Sequence, residues 1–178
     1  MLFRSSINLG DTKNILGTFN PPSRVFIDTN FLATLSSDDL CSGIGKIVKI
    51  HAVEGIAAFD RLASDYDRLP SDRALLLSCV RASLLIKRRF IEADEFDREI
   101  RNVLNYGHSF GHAIESATRY AIPHGIAVAM GADMANFIAA RRGLLPEAHY
   151  HRMHPIIRKT YASHERRSEE HTSELQSH

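Results

Sequence analysis

Apolar positions recur at helical spacing over most of this chain. Ser36-Ser37-Asp38-Asp39 offers side-chain oxygens and negative charge suited to a helix start, and Leu40, Ile44, Ile47 and Val48 follow on one face. Gly43, Gly45 and Gly55 cost helix propensity there, so a close backbone or a ligand is expected nearby. A second start, Pro70-Ser71-Asp72, opens an apolar helix through Leu76, Val80, Leu84 and Lys87. It is expected to end in the cationic run Lys87-Arg88-Arg89, which would complement the helix dipole. The acidic stretch Glu92 to Glu99 leads to a third helix, expected over roughly Arg101 to Thr118. Pro123-His124-Gly125 separates it from a fourth, Ile126 to about Arg142, with Gly143 as its stop. Ala127, Ala129, Gly131, Ala132, Ala135 and Ala139 line that last helix and permit close contact with a neighbour. Near the N-terminus, after an irregular start, Ser23-Arg24-Val25-Phe26-Ile27-Asp28 reads as a short β-strand behind the turn Pro21-Pro22. The expected class is mainly α, with one or two short N-terminal β-strands.

Composition narrows the function classes. The 178 residues carry 22 Lys plus Arg against 21 Asp plus Glu, a formal net charge of +1, which supplies no broad field for nucleic acid or an anionic membrane. A helix-turn-helix DNA binder, suggested by Arg88-Arg89 and Arg141-Arg142, is disfavoured on that balance. Neither nucleic acid nor membrane is an expected partner. Cys41 and Cys79 sit in apolar stretches without metal-ligand spacing, read as small core residues in a reducing, cytoplasmic compartment. The polar run Arg167 to His178 lacks any hydrophobic period and is expected to be disordered. It also resembles the translation of a sequencing-library adapter and is set apart from the domain expected over residues 1–166.

The chemistry concentrates in the third predicted helix. Arg101, Asn105, His108 and His112 fall at i, i+4, i+7 and i+11, which on a continuous helix stacks four polar side chains on one face. Gly107 and Gly111 trim bulk between them, and His124 follows in Pro123-His124-Gly125. Neutral imidazoles suit zinc-like ions, and a catalytic site needs about three protein ligands with one position open. A hydrogen-bonded His pair on a wet surface fits the same spacing, and Lys87 and Arg101 also suit a solvated face. The segment Ser109-Phe110-Gly111 lacks the Glu of the helical zinc-protease pattern.

The segment Leu104-Asn105-Tyr106-Gly107-His108-Ser109-Phe110-Gly111-His112-Ala113-Ile114-Glu115 resembles the helix that marks 3-dehydroquinate synthase and related sugar-phosphate cyclases. Lys13-Asn14 with Gly17 and Phe19, Ile27-Asp28-Thr29 with Leu32, and Ser42-Gly43-Ile44-Gly45-Lys46-Ile47-Val48-Lys49 follow the family order. The resemblance implies a mainly helical C-terminal metal- and substrate-binding domain, incomplete here, with the family's N-terminal nucleotide-binding α/β domain absent from these residues. It implies conversion of 3-deoxy-D-arabino-heptulosonate 7-phosphate to 3-dehydroquinate with phosphate release, in the shikimate route, using NAD and a divalent metal, zinc or cobalt. A small sugar phosphate is the implied partner, within a homodimer, and this fragment alone is expected to be inactive.

Residue by residue, the resemblance assigns His108 and His124 to the metal, with Lys46 standing where the family has the ligating Glu. Lys49 and His112 take catalytic positions. Arg4, Lys13, Asn14, Lys87, Arg101 and Asn105 take substrate-binding positions, with Lys87, Arg101 and Asn105 on the carboxylate and its neighbouring hydroxyls. The lysine at 46 is the main departure, because a protonated ammonium cannot ligate and repels a dication. Two other readings stay open: an iron-dependent alcohol or glycerol dehydrogenase relative, and a noncatalytic helical module.

Overall fold

The computed structural model describes residues 5–9, 12–18, 24, 26–95 and 98–165, the first two ranges as backbone only. Ser5–Leu9 (β1) and Thr12–Thr18 (β2) form an antiparallel hairpin that pairs Ser5 with Thr18 and Leu9 with Thr12. The two strands therefore lie in the stretch expected to be irregular. Within the predicted strand Ser23–Asp28, the described residues Arg24 and Phe26–Asp28 are not strand. Asp28 caps a 3₁₀ turn over Thr29–Thr34 by accepting a 2.8 Å bond from Asn30 N, so a turn-forming Asp outweighs the β-branched pattern beside it. The adapter-like tail lies outside the described residues.

Six helices follow. Helix α1 (Ser37–Glu54) starts as the pattern predicts, with Ser36 Oγ accepting from Asp39 N at 3.1 Å while donating to the Asp39 carboxylate at 2.7 Å. Helix α2 (Ile56–Asp65) was not separable from α1 by periodicity; Gly55, at φ +127, makes the break. Asp72 caps α3 (Arg73–Ala93) through Leu75 N, as expected. The helix runs past Lys87-Arg88-Arg89, so the last turn carries no basic residue and the expected dipole pairing is absent. Helix α4 spans His108–Ala117, α5 spans His124–Arg141 and α6 spans Glu147–Tyr161.

Helix α5 is the axis of the fold. It packs against α1, α4 and α6, and its first turns are buried on every side, from Gly125 to Ala129 and again from Gly131 to Asp133. A helix apolar all round belongs in the core. The small residues set the separations: a Cβ on Gly125 would stand 1.9 Å from Ser42 O on α1, and one on Gly131 would stand 2.2 Å from Gly107 O. Phe59, Leu69, Ile126 and Ile157 close the core from four directions. Cys41 and Cys79 are half-buried against it, and burial pushes both thiols up. Among the described residues no helix is long and apolar enough to cross a membrane.

Candidate metal and substrate site

The predicted third helix is two elements. Ile100–Asn105 is a 3₁₀ turn, Gly107 breaks the backbone at φ +77, and α4 begins at His108. Arg101 and Asn105 therefore do not continue the helical face of His108 and His112. Arg101 is held by the connection after α3: its guanidinium donates to Glu95 O at 2.9 Å and its backbone N to Asp94. Asn105 is exposed. Only glycine fits at the break, since the backbone there is left-handed and a Cβ on Gly107 would meet Val128 O at 2.6 Å.

The three histidines converge nonetheless. His108 and His112 stand one turn apart on α4, with ring centroids 5.3 Å apart, and His124 at the start of α5 is 5.4 Å from His108 and 5.8 Å from His112. The reversal that carries His124 back runs through two consecutive left-handed residues, Arg119 and Tyr120. Gly125, the next residue, donates its N–H to Ser42 Oγ at 2.9 Å and so ties this corner to α1. Burial first, then the Lys49 cation, pull the His108 pKa down to about 4, so its ring is neutral near pH 7 with a lone pair to offer.

Lysines from two other helices complete the surroundings. Lys49 on α1 is buried and donates to Leu104 O at 2.8 Å. Burial, then Lys87, then Lys46 lower its pKa to about 8. Lys87 on α3 is likewise lowered, by burial first and then by Lys46. Lys46 itself is exposed on α1. The three ammonium groups form one cationic wall suited to phosphate or carboxylate. Of the other predicted substrate residues, Arg4 lies outside the described residues, and Lys13 and Asn14 are described only as backbone positions of β2.

Glu115 carried no spacing signal for a site role. It is 3% exposed on α4, and its Oε2 lies 2.9 Å from His124 Nδ1. One donor atom each from His112, Glu115 and His124 lie within 4.8 Å of one another. A second buried carboxylate, Asp133 on α5, accepts from Tyr161 Oη and pairs with His154 Nδ1 at 2.7 Å, away from the histidine cluster on the α6 side.

Comparison with known proteins identifies the family and the fold. Sequence models described as 3-dehydroquinate synthase C-terminal and 3-dehydroquinate synthase N-terminal match residues 43–177 and 3–42. The 3-dehydroquinate synthase of Thermoanaerobacter pseudethanolicus is 34% identical over 157 residues, covering 87% of this chain and 44% of the relative. That of Sulfurovum sp. is 37% identical over 158 residues, covering 88% and 44%. The chain thus spans about 44% of the length of these curated relatives. Among solved structures, 2-epi-5-epi-valiolone synthase from Streptomyces hygroscopicus, described with NAD+ and Zn2+ bound, superposes with a TM-score of 0.74 at 28% identity, covering 88% of this chain and 44% of that one. A 2-deoxy-scyllo-inosose synthase shares the fold, with a TM-score of 0.73 at 23% identity, over 95% of this chain and 49% of that one. The family models match more than half of the sequence and meet the helical domain with its histidine cluster: this chain belongs to the 3-dehydroquinate synthase family.

Proposed function

We propose that this chain is the metal- and substrate-binding part of a sugar-phosphate cyclase that converts 3-deoxy-D-arabino-heptulosonate 7-phosphate to 3-dehydroquinate and phosphate. The observation that carries the reading is the convergence of His108, His112 and His124 beside the cationic wall of Lys46, Lys49 and Lys87. It joins neutral nitrogen donors to positive charge, which an acidic sugar phosphate bound through a metal requires.

The residues present fit a zinc-like ion by donor chemistry. Lys46 offers no lone pair while protonated, but the imidazoles and the Glu115 carboxylate supply a nitrogen and oxygen set at close range. His108 and His124 are the family's positions for holding the ion. When bound, the metal acidifies and polarises the substrate's C5 oxygen while NAD accepts and returns the hydride. The chain's own side chains do the rest. Lys49 and Lys87 hold the substrate's anionic ends and fix its orientation, which supplies much of the rate for a reaction with several steps at one carbon skeleton. His112, exposed at the mouth of the cluster, holds the phosphate, with Arg4 and Asn14 assigned to the same group and Lys13 to the substrate without a named group. Arg101 and Asn105 are assigned to the carboxylate side, and Arg101 has to leave Glu95 O to reach it. Lys49, with a pKa of about 8, exists in both protonation states near neutrality and can pass a proton at Nζ.

A noncatalytic reading has one specific observation in its favour: the lysine at 46, which places a cation where the family has a carboxylate. An assay separates the two. With NAD and zinc, the protein expressed at its relatives' full length releases phosphate from the heptulosonate if the cyclase reading holds, and Lys87→Met raises KM more than it lowers kcat. Zinc retention without phosphate release would support the noncatalytic reading, and net NADH formation from a simple alcohol the dehydrogenase branch. The 178-residue chain by itself is expected to be inactive, as it spans 44% of its relatives.

A further inference from the structure

His124 reaches the cluster from a helix end that its own segment leaves uncapped. Backbone N–H groups in the first turn of a helix have no acceptor within the helix. In α5, Ile126 and Ala127 donate to Pro123 O at 2.9 and 3.0 Å, and Pro123, at the cap position, has no side-chain oxygen to offer. The buried Gly125 N–H is met from α1 instead, by Ser42 Oγ at 2.9 Å, from a residue 83 positions earlier in the chain. Ser42 is itself 8% exposed, so water competes little for the bond.

The same hydroxyl lies on the face of α1 that carries two of the site lysines: Ser42, Lys46 and Lys49 fall at i, i+4 and i+7. Contact across the crossing also brings backbone against backbone, Gly45 against Gly125 O and Gly125 against Ser42 O. Such contact sets how near the helices come but has little direction. A hydrogen bond weakens steeply away from linearity, so the Ser42 bond fixes how the first turn of α5 is rotated. A rotation of about 10° carries a group at the helix surface, about 6 Å from the axis, through about 1 Å. A misplacement of that size costs on the order of a hundredfold in rate. His124 is the residue next to the bond, and its ring stands 5.4 Å from that of His108 and 5.8 Å from that of His112.

We propose that Ser42 is a positioning residue: by capping α5 from α1, it holds the His124 ring in register with His108, His112 and the lysine face. It acts through the Gly125 backbone, with no bond of its own to substrate or metal. Its effect on turnover rests on the cyclase reading above, whereas its hold on the ring does not.

Ser42→Ala removes the hydroxyl without adding bulk, and Asp72→Ala, which removes the side-chain cap of α3, is the control for the loss of a cap as such. In the 178-residue chain, NMR is expected to show the Gly125 amide protected from solvent exchange. In Ser42→Ala that exchange speeds by about tenfold or more, and the nuclear Overhauser effect between the His124 and His108 rings weakens; both stay unchanged in Asp72→Ala. An unprotected Gly125 amide in the parent, or His124 ring contacts that persist in folded Ser42→Ala, overturns the proposal. In the protein expressed at its relatives' full length, with NAD and zinc, Ser42→Ala is expected to lower kcat for phosphate release by about ten- to a hundredfold while KM moves by less than about threefold. Asp72→Ala lowers the melting temperature but leaves kcat within about twofold. An unchanged kcat in Ser42→Ala, or an equal loss in both variants, also overturns the proposal. If the full-length parent releases no phosphate, the cyclase reading falls, and amide exchange and the ring contacts alone decide whether Ser42 holds His124.

Discussion

Three glycines give a graded test of how the site is held together: Gly43 on the exposed side of α1, and Gly45 and Gly125 at the α1–α5 crossing. A Cβ at Gly43 meets nothing within 4 Å, one at Gly45 comes 2.6 Å from Gly125 O, and one at Gly125 comes 1.9 Å from Ser42 O. Gly43 and Gly45, both inside α1, gain helix propensity on substitution by Ala, about 0.8–1.0 kcal/mol in a helix interior. Gly43→Ala collects that gain and is expected to stabilise the chain by nearly that amount. At Gly45 an overpacking cost of about 1–3 kcal/mol opposes it, for a net loss of up to about 2 kcal/mol. At Gly125 the obstacle is a backbone oxygen that no rotamer change removes, and the shift also strains the Gly125 N–Ser42 Oγ bond. The expected loss is about 3 kcal/mol or more. His124 precedes Gly125, so displacement of this corner also moves the ring away from Glu115 and should weaken cobalt binding. Urea unfolding followed by circular dichroism gives the three values, with an unchanged m-value as the check that only stability moved. Equal shifts for Gly43→Ala and Gly45→Ala, or a Gly125→Ala protein within about 0.5 kcal/mol of the parent, would refute the packing argument.

Other expectations follow from single groups. Lys49 has a folded pKa of about 8 against about 10.4 unfolded, so the folded state binds fewer protons between those values and stability from this group rises with pH across that window. Lys49→Met is therefore expected to stabilise the chain at pH 7 by an amount on the order of 1–3 kcal/mol, an advantage that fades between about pH 8 and 10 in parallel denaturation curves. Tyr161→Phe leaves the buried Asp133 with His154 but without its hydroxyl donor, and should cost about 1.5–3 kcal/mol in the same assay. Asp72→Ala removes the α3 cap on Leu75 N and is expected to lower stability measurably in the same assay, whereas an exposed substitution such as Arg81→Ala should change it little.

Local signals in the chain were sufficient wherever local chemistry decides. Ser36 and Asp72 cap the helices their positions announce, and Gly143, at φ +70, stops α5 where the pattern ends. The same signals failed where distant groups decide. Periodicity ran the third helix from Arg101 through His112, but the α5 backbone presses on Gly107 and the helix breaks there. At the described residues Phe26–Asp28 the strand pattern yielded to the Asp28 turn, while the paired strands formed further upstream, where cross-strand partners carry more weight than β-branched content. Helices α2 and α6 gave no separate reading, because a glycine break and a polar, histidine-rich face blur the apolar period.

The sequence by itself determined the mainly helical class, the helix starts and the identity of the polar residues available for chemistry, since capping, periodicity and donor type are properties of short segments. The tertiary structure decided which of those residues meet. Lys49 and Lys87 come from helices α1 and α3, and His124 reaches Glu115 only after the left-handed turn at Arg119 and Tyr120. A carboxylate nine residues from a histidine has no fixed relation to it along an extended chain. Here the close contacts of Gly107, Gly111 and Gly131 set α4 and α5 so near each other that one relation remains, and it puts Glu115 within 2.9 Å of His124.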